Sequence, residues 1–218
     1  HSLSATAQSL LDFAIPPFCP LCRDVLAEPS DLPVCFCHAC SMELCGQTGG
    51  RCVRCSASVG PFSDTQRGCV HCRSRTLKFR SAVCLGMYSG NLRQALLSAK
   101  WSFSSVQIQS LARLLALHTS QQLAAVRVDR IIPIPQHWRQ RLWRHFNPAW
   151  LTAQQLSDSL GVPCDIHILR KSRRTRPQKR VSVRQRFDNQ KQSFVVRDAE
   201  VIRGQRLLIV DDVLTTGA

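Results

Sequence analysis

Two groups of residues in this sequence have types and spacings suited to chemistry: paired cysteines in the N-terminal third, and an acidic pair followed by hydroxyl and glycine residues near the C-terminus. The cysteines stand as Cys19-x2-Cys22, Cys37-x2-Cys40, Cys52-x2-Cys55 and Cys69-x2-Cys72, separated by 14, 11 and 13 residues. Each Cys-x2-Cys turn supplies two thiolates from one tight knuckle, and two knuckles complete a tetrahedral structural zinc site. Pairing in sequence order puts Cys19, Cys22, Cys37 and Cys40 in one site and Cys52, Cys55, Cys69 and Cys72 in the other; an interleaved pairing is the alternative. A disulfide scaffold is the competing chemistry, but the repeated two-residue spacing favours metal, and the segment before Pro16 is too short and polar for an export signal. Cys35, Cys45, His38 and His71 are further potential ligands. Four-thiolate sites with no open position hold structure and do no chemistry.

At the other end, Leu207-Leu208-Ile209-Val210 reads as a strand buried on both faces, with Asp211-Asp212 marking where it leaves the core. In open α/β sheets ligands sit outside the carboxyl ends of the strands, so a site is expected at this junction. Thr215, Thr216 and Gly217 offer hydroxyls and unencumbered backbone N–H groups that cradle a phosphate if a helix begins just beyond. The sequence ends at Ala218, and the expectation is a fragment of a longer protein whose next helix follows.

The remaining sequence must position these groups. Ten of the twelve cysteines lie between Cys19 and Cys72, where apolar periodicity is weak, so this stretch needs staples rather than a core of its own. Ser4 to Ile15 fits a short helix stopped by Pro16-Pro17. Beyond Lys78 strands and helices alternate: strands over 81–88, 130–135 and 164–169, and helices over 91–99, 105–126 and 149–160. Such alternation predicts a mostly parallel sheet with helices on its faces, and a domain boundary near Lys78. At 218 residues and 44% hydrophobic content the chain can build one full domain and a small one. No stretch approaches the ~20 apolar residues of a membrane-spanning helix, and the expected compartment is cytoplasmic.

Formal net charge is +15 and the sequence pI about 10.0, a field that attracts polyanions. The charge is uneven: residues 170–186 hold nine Lys/Arg and no Asp/Glu, whereas the first 50 hold one Arg and five acidic residues. Arg51, Arg54, Arg67, Arg73 and Arg75 surround the second pair of knuckles, within reach of phosphate if that ribbon meets nucleic acid. Strand binding also needs aromatic platforms. Trp101, Phe103, Trp138, Trp143 and Phe146 are available, but none lies near 170–180 before Phe187.

The run from Leu207 to Gly217 resembles the phosphoribosyl-pyrophosphate (PRPP) signature of type I phosphoribosyltransferases. That resemblance implies that Asp211 and Asp212 hold the ribose hydroxyls and that Val213, Leu214, Thr215, Thr216 and Gly217 hold the 5′-phosphate. Taken with Ile132-Pro133-Ile134-Pro135, Arg144-His145-Phe146-Asn147-Pro148, Thr175, Gln178, Arg186 and Asn189, the chain resembles the ComF/GntX family of competence-type proteins. His145 and Pro148 depart from the Gly and Gln usual there, although Pro148 suits the first turn of a helix. The resemblance implies an α/β fold: a type I phosphoribosyltransferase-like mostly parallel sheet with helices on both faces over 79–218, incomplete at its C-terminus, preceded by a helix and a double zinc ribbon over 1–78. It implies two structural Zn²⁺ ions and Mg²⁺ carried with PRPP, with Lys100, Arg139 and Arg144 as partners of the pyrophosphate. The activity class would be glycosyl transfer, linked to DNA uptake or utilisation. The alternative is a non-enzymatic module binding single-stranded DNA, and a DNA-uptake helicase or related competence protein is the implied partner.

Overall fold

The computed structural model describes residues 18–26, 36–45, 50–101, 105–136, 146–171 and 193–214, without the side chains of 100 and 101. The helix expected over 4–15 lies outside them. The elements are α1 (His38–Cys45), β1 (Gly50–Arg51), β2 (Ser58–Val59), α2 (Gly90–Trp101), α3 (Val106–Val126), β3 (Arg130–Pro133), α4 (Pro148–Leu160), β4 (Leu169–Lys171), β5 (Phe194–Val196) and β6 (Leu207–Val210). The fold is α/β.

The sheet element that matters is parallel. β3 and β6 pair in register from Arg130 opposite Leu207 to Pro133 opposite Val210. Cys164 bridges Ile131 in the same sense, with Ile131 N–H donating to Pro163 O and Asp165 N–H to Ile131 O, both at 2.9 Å. The register is pinned at both ends. At the start, Arg206 N–H and Nε donate to Asp129 Oδ2 at 2.7 and 3.2 Å, holding that carboxyl below the usual carboxylate range. At the finish, Ile134 N–H donates to Val210 O at 2.8 Å.

Helix periodicity supplies the packing. In α3 the buried Ile108, Leu111, Ala112, Leu114, Ala116, Thr119 and Leu123 repeat at three- and four-residue steps. The helix stops where Arg127 turns left-handed at φ 51° and donates its N–H to Ala124 O. Ala116 and Leu123 meet Ile131, Ala153, Leu156 and Val210 in one cluster, so α3 and α4 cover one face of the parallel pair. α4 begins as its sequence requires: Asn147 Oδ1 accepts from Ala149 N–H at 3.1 Å and Pro148 occupies the first turn. The Asn147 amide also donates to Ile134 O at 3.3 Å, fixing this helix start beside the end of β3. Asn147→Ala removes both contacts, and a loss of about 1 kcal/mol is expected in urea unfolding; an unchanged midpoint would show that the cap carries no weight.

Three expectations are corrected. Residues 81–88 form no strand, because the segment bridges two cores instead of pairing edgewise: Leu85 joins one, Val83 packs on the other, and at Gly86 a Cβ would come within 2.8 Å of Leu92 Cδ2 and 3.1 Å of Leu44 O. The strand expected over 164–169 contracts to the bridge at Cys164 and to β4, because Asp165 Oδ1 accepts from His167 N–H at 2.8 Å and turns the chain. β6 is also not buried on both faces: Leu208 and Val210 point into the cluster, while Ile209 remains 50% exposed.

Candidate functional site

Two of the four knuckles, Cys19–Cys22 and Cys52–Cys55, repeat one local geometry. Cys19 N–H donates to Asp24 O and Cys52 N–H to Ala57 O, both at 2.9 Å; Arg23 N–H returns to Cys19 O and Ser56 N–H to Cys52 O, both at 2.8 Å. The residue after the second cysteine is left-handed in both, Arg23 at φ 67° and Ser56 at φ 60°. This curl turns backbone N–H groups toward the first sulfur of these two knuckles. Burial pushes the Cys19 thiol up, but N–H groups of Cys22, Cys37 and Leu21 outweigh it and bring it down to about 7. In the same way burial opposes, and the N–H groups of Cys55, Arg54 and Cys69 win, at Cys52, which falls to about 6. Burial dominates at Cys40 and raises it. Gly68, at φ 91°, closes the second site: a Cβ there would lie 2.9 Å from Cys72 Sγ.

Tertiary folding brings the knuckles together in sequence order. Cys19, Cys22, Cys37 and Cys40 form one group and Cys52, Cys55, Cys69 and Cys72 the other, with all sulfurs of each group within 4.8 Å. The Sγ–Sγ separations are 3.6 Å for Cys22–Cys37, 3.7 Å for Cys52–Cys72, 3.6 Å for Cys55–Cys69 and 3.9 Å for Cys69–Cys72. A tetrahedron with Zn–S bonds of ~2.3 Å has edges of about 3.8 Å, whereas a disulfide brings sulfurs to ~2.05 Å. No described cysteine is disulfide-bonded. Both groups therefore fit a four-coordinate metal ion. His38, His71 and Cys45 are not in either group, and Cys35 lies outside the described residues.

The second site is the shared carboxyl end of β3 and β6. Asp211 and Asp212 follow Val210 directly, Asp211 exposed and Asp212 half-buried, with Asp212 N–H donating to Asp211 Oδ1 at 2.9 Å. The turn 134–136 and the start of α4 stand alongside, through the Ile134 contacts to Val210 and Asn147. Val213 and Leu214 continue from the acidic pair. Thr215, Thr216, Gly217, Arg139 and Arg144 lie outside the described residues, as do His145, Thr175, Gln178, Arg186 and Asn189; Lys100 sits in the last turn of α2.

One neighbour was not singled out by sequence. Lys171, the register partner of Phe194 across β4 and β5, carries its Nζ 5.3 Å from the centre of that ring. Burial draws its ammonium pKa down and the charge of Asp211 pushes it back up, so β4 brings a cation into the field of the acidic pair. In sequence Lys171 is one of nine cations in a run, and only strand pairing distinguishes it.

Residues 149–218 match the Phosphoribosyl transferase domain family. Fold, strand end and match define the class: an α/β protein with a phosphoribosyltransferase-type domain behind a cysteine-rich segment bearing two candidate metal sites. The chain is 30% identical over 198 residues to DNA utilization protein YhgH of Shigella flexneri, covering 84% of this chain and 86% of that protein. It is 30% identical over 156 residues to Competence protein F of Haemophilus influenzae, covering 69% and 67%. The chain belongs to the ComF family. No solved structure matches it. Among the described residues no helix is long and apolar enough to cross a membrane.

Proposed function

We propose that this chain binds PRPP with Mg²⁺ at the carboxyl ends of β3 and β6, with glycosyl transfer as its activity class, and that it serves DNA uptake or utilisation in the cytoplasm. The observation that carries the reading is the parallel register of β3 and β6, which delivers Asp211 and Asp212 next to the turn 134–136. In this reading the two carboxylates accept hydrogen bonds from the ribose hydroxyls, and the loop from Val213 to Gly217 donates N–H groups to the 5′-phosphate. Lys100, Arg139 and Arg144 neutralise the pyrophosphate, and Lys171 balances Asp211. Bound Mg²⁺ would add charge stabilisation on the departing pyrophosphate. The protein's own task is to hold the donor in place and stabilise growing charge. Residues 1–78 form the zinc-bearing part, with Zn²⁺ in both tetrads, and 79–218 the phosphoribosyl part.

The test is thermal unfolding of the full chain with and without PRPP and Mg²⁺. At a hundredfold excess over Kd, ligand adds about 2.7 kcal/mol and raises Tm by about 5–10 °C. Asp211→Asn with Asp212→Asn is expected to abolish the rise; no rise in the unaltered protein would sink the reading.

A second reading, single-stranded DNA binding, is favoured by one observation. Phe62 is 99% exposed, on a loop tied to the second ribbon by the bond from Val53 N–H to Thr65 Oγ1, and Arg67, Arg73 and Arg75 are exposed on the same ribbon. A ribbon that exposes a ring and several cations offers a stacking platform and an electrostatic track. Affinity should fall steeply with salt, and Phe62→Ala should cost about 1–3 kcal/mol without altering the salt slope. A DNA-uptake helicase would dock on the zinc-bearing part, residues 1–78.

A further inference from the structure

We propose that the two tetrads do different jobs: metal at Cys19, Cys22, Cys37 and Cys40 is a keystone of the phosphoribosyl domain, whereas metal at Cys52, Cys55, Cys69 and Cys72 folds only its own ribbon. Its bearing on ligand binding rests on the phosphoribosyl reading above; the structural coupling does not.

The first tetrad is built into the main body. Cys19, at 0% exposure, and Cys40 belong to the same core as Phe36, Leu44, Leu85, Leu92 and Ala95 of α2, and Leu111 and Leu114 of α3. α1 springs from the Cys37–Cys40 knuckle, and its Glu43 carboxylate accepts from the Asn91 amide at 2.8 Å on both oxygens, at the start of α2. From there the packing continues. Leu115 touches both this core and the next, where Ala116 and Leu123 meet Ile131 and Val210, the residue before Asp211. α2 in turn ends at Lys100-Trp101, so the tetrad also sets where that candidate phosphate partner stands.

The second tetrad is outboard. Its core holds only ribbon residues: Cys52, Cys69 and Cys72, with Cys55, Ala57, Val59 and Leu77 around them. Its links to the body among the described residues include Arg51 Nη2 donating to Leu85 O at 3.2 Å. Removing a metal centre frees the two segments it joins. At the first tetrad those segments cover the apolar faces of α2 and α3; at the second they cover mainly each other.

The experiment compares the full-length zinc-loaded chain with Cys22→Ser and Cys55→Ser by zinc content, amide hydrogen exchange and the PRPP-dependent Tm rise. Each variant should lose one zinc. Cys22→Ser should speed exchange about tenfold or more across 90–115 and diminish the PRPP response. Cys55→Ser should speed exchange only within 50–77 and leave that response intact. Cys22→His, which retains four ligands, should restore protection; if Cys22→Ser alone of the three fails to fold, that too supports the keystone. Equal changes in 90–115 from both serine variants, or full protection there in a zinc-deficient Cys22→Ser, overturn it. Should the unaltered protein give no PRPP response, the phosphoribosyl reading falls and the exchange pattern still decides the coupling.

Discussion

Ile131→Ala is expected to lower the unfolding free energy by about 4 kcal/mol, near the upper end for an aliphatic truncation. The site gives no room for collapse. Ile131 is 0% exposed and lies in the middle of the parallel pair, flanked by Ala116 and Leu123 of α3, Ala153 and Leu156 of α4, and Val210 of β6. Both of its backbone groups are committed to the 163–165 segment, the N–H donating to Pro163 O and the carbonyl accepting from Asp165 N–H, so the strand cannot readily shift to fill the void. The cost therefore includes both lost transfer energy and a residual cavity. Ile209, two residues before Asp211 and half exposed, is the control: Ile209→Ala should cost under about 1 kcal/mol. Urea unfolding in saturating zinc measures both. A cost at Ile131 no greater than at Ile209 would mean that the β3–β6 platform is not the centre of the fold.

Chelation is expected to remove two zinc ions per chain and to unfold residues 50–77. The second ribbon has almost nothing else to hold it. β1 and β2 pair over only two residues each, and three of the four side chains nearest its buried cysteines are Ala57, Val59 and Leu77. So small an apolar cluster cannot offset the ordering of this segment, whereas structural zinc supplies ~10–16 kcal/mol in zinc-finger peptides. Native mass spectrometry before and after a strong chelator gives the count. Exchange protection at Cys52 and Arg73, whose N–H groups are bonded to Ala57 O and Cys69 O, reports the fold. Fewer than two ions, or protection that survives the chelator, would contradict the assignment.

What the sequence determined by itself is local. The Cys-x2-Cys spacing places two sulfurs within a few residues of chain at every knuckle, and the apolar periods of α3 and α4 name the faces they bury, since both effects act within one turn. Asn147-Pro148 fixes a helix start for the same reason, and four apolar residues followed by Asp211-Asp212 mark a strand and its exit. What only the tertiary structure decided spans long separations. Residues 81–88 carry strand-forming side chains, yet two cores compete for Val83 and Leu85 and the segment pairs with neither sheet edge. Ile209 reads like its neighbours, but packing on one face of β6 leaves it half exposed. Lys171 comes within the electrostatic reach of Asp211, 40 positions away, only through the tertiary fold. The unequal weight of two tetrads that look alike in sequence is of the same kind, because identical knuckles set four sulfurs on one centre but cannot specify what those segments then cover: α2 and α3 in one case, little beyond the ribbon in the other.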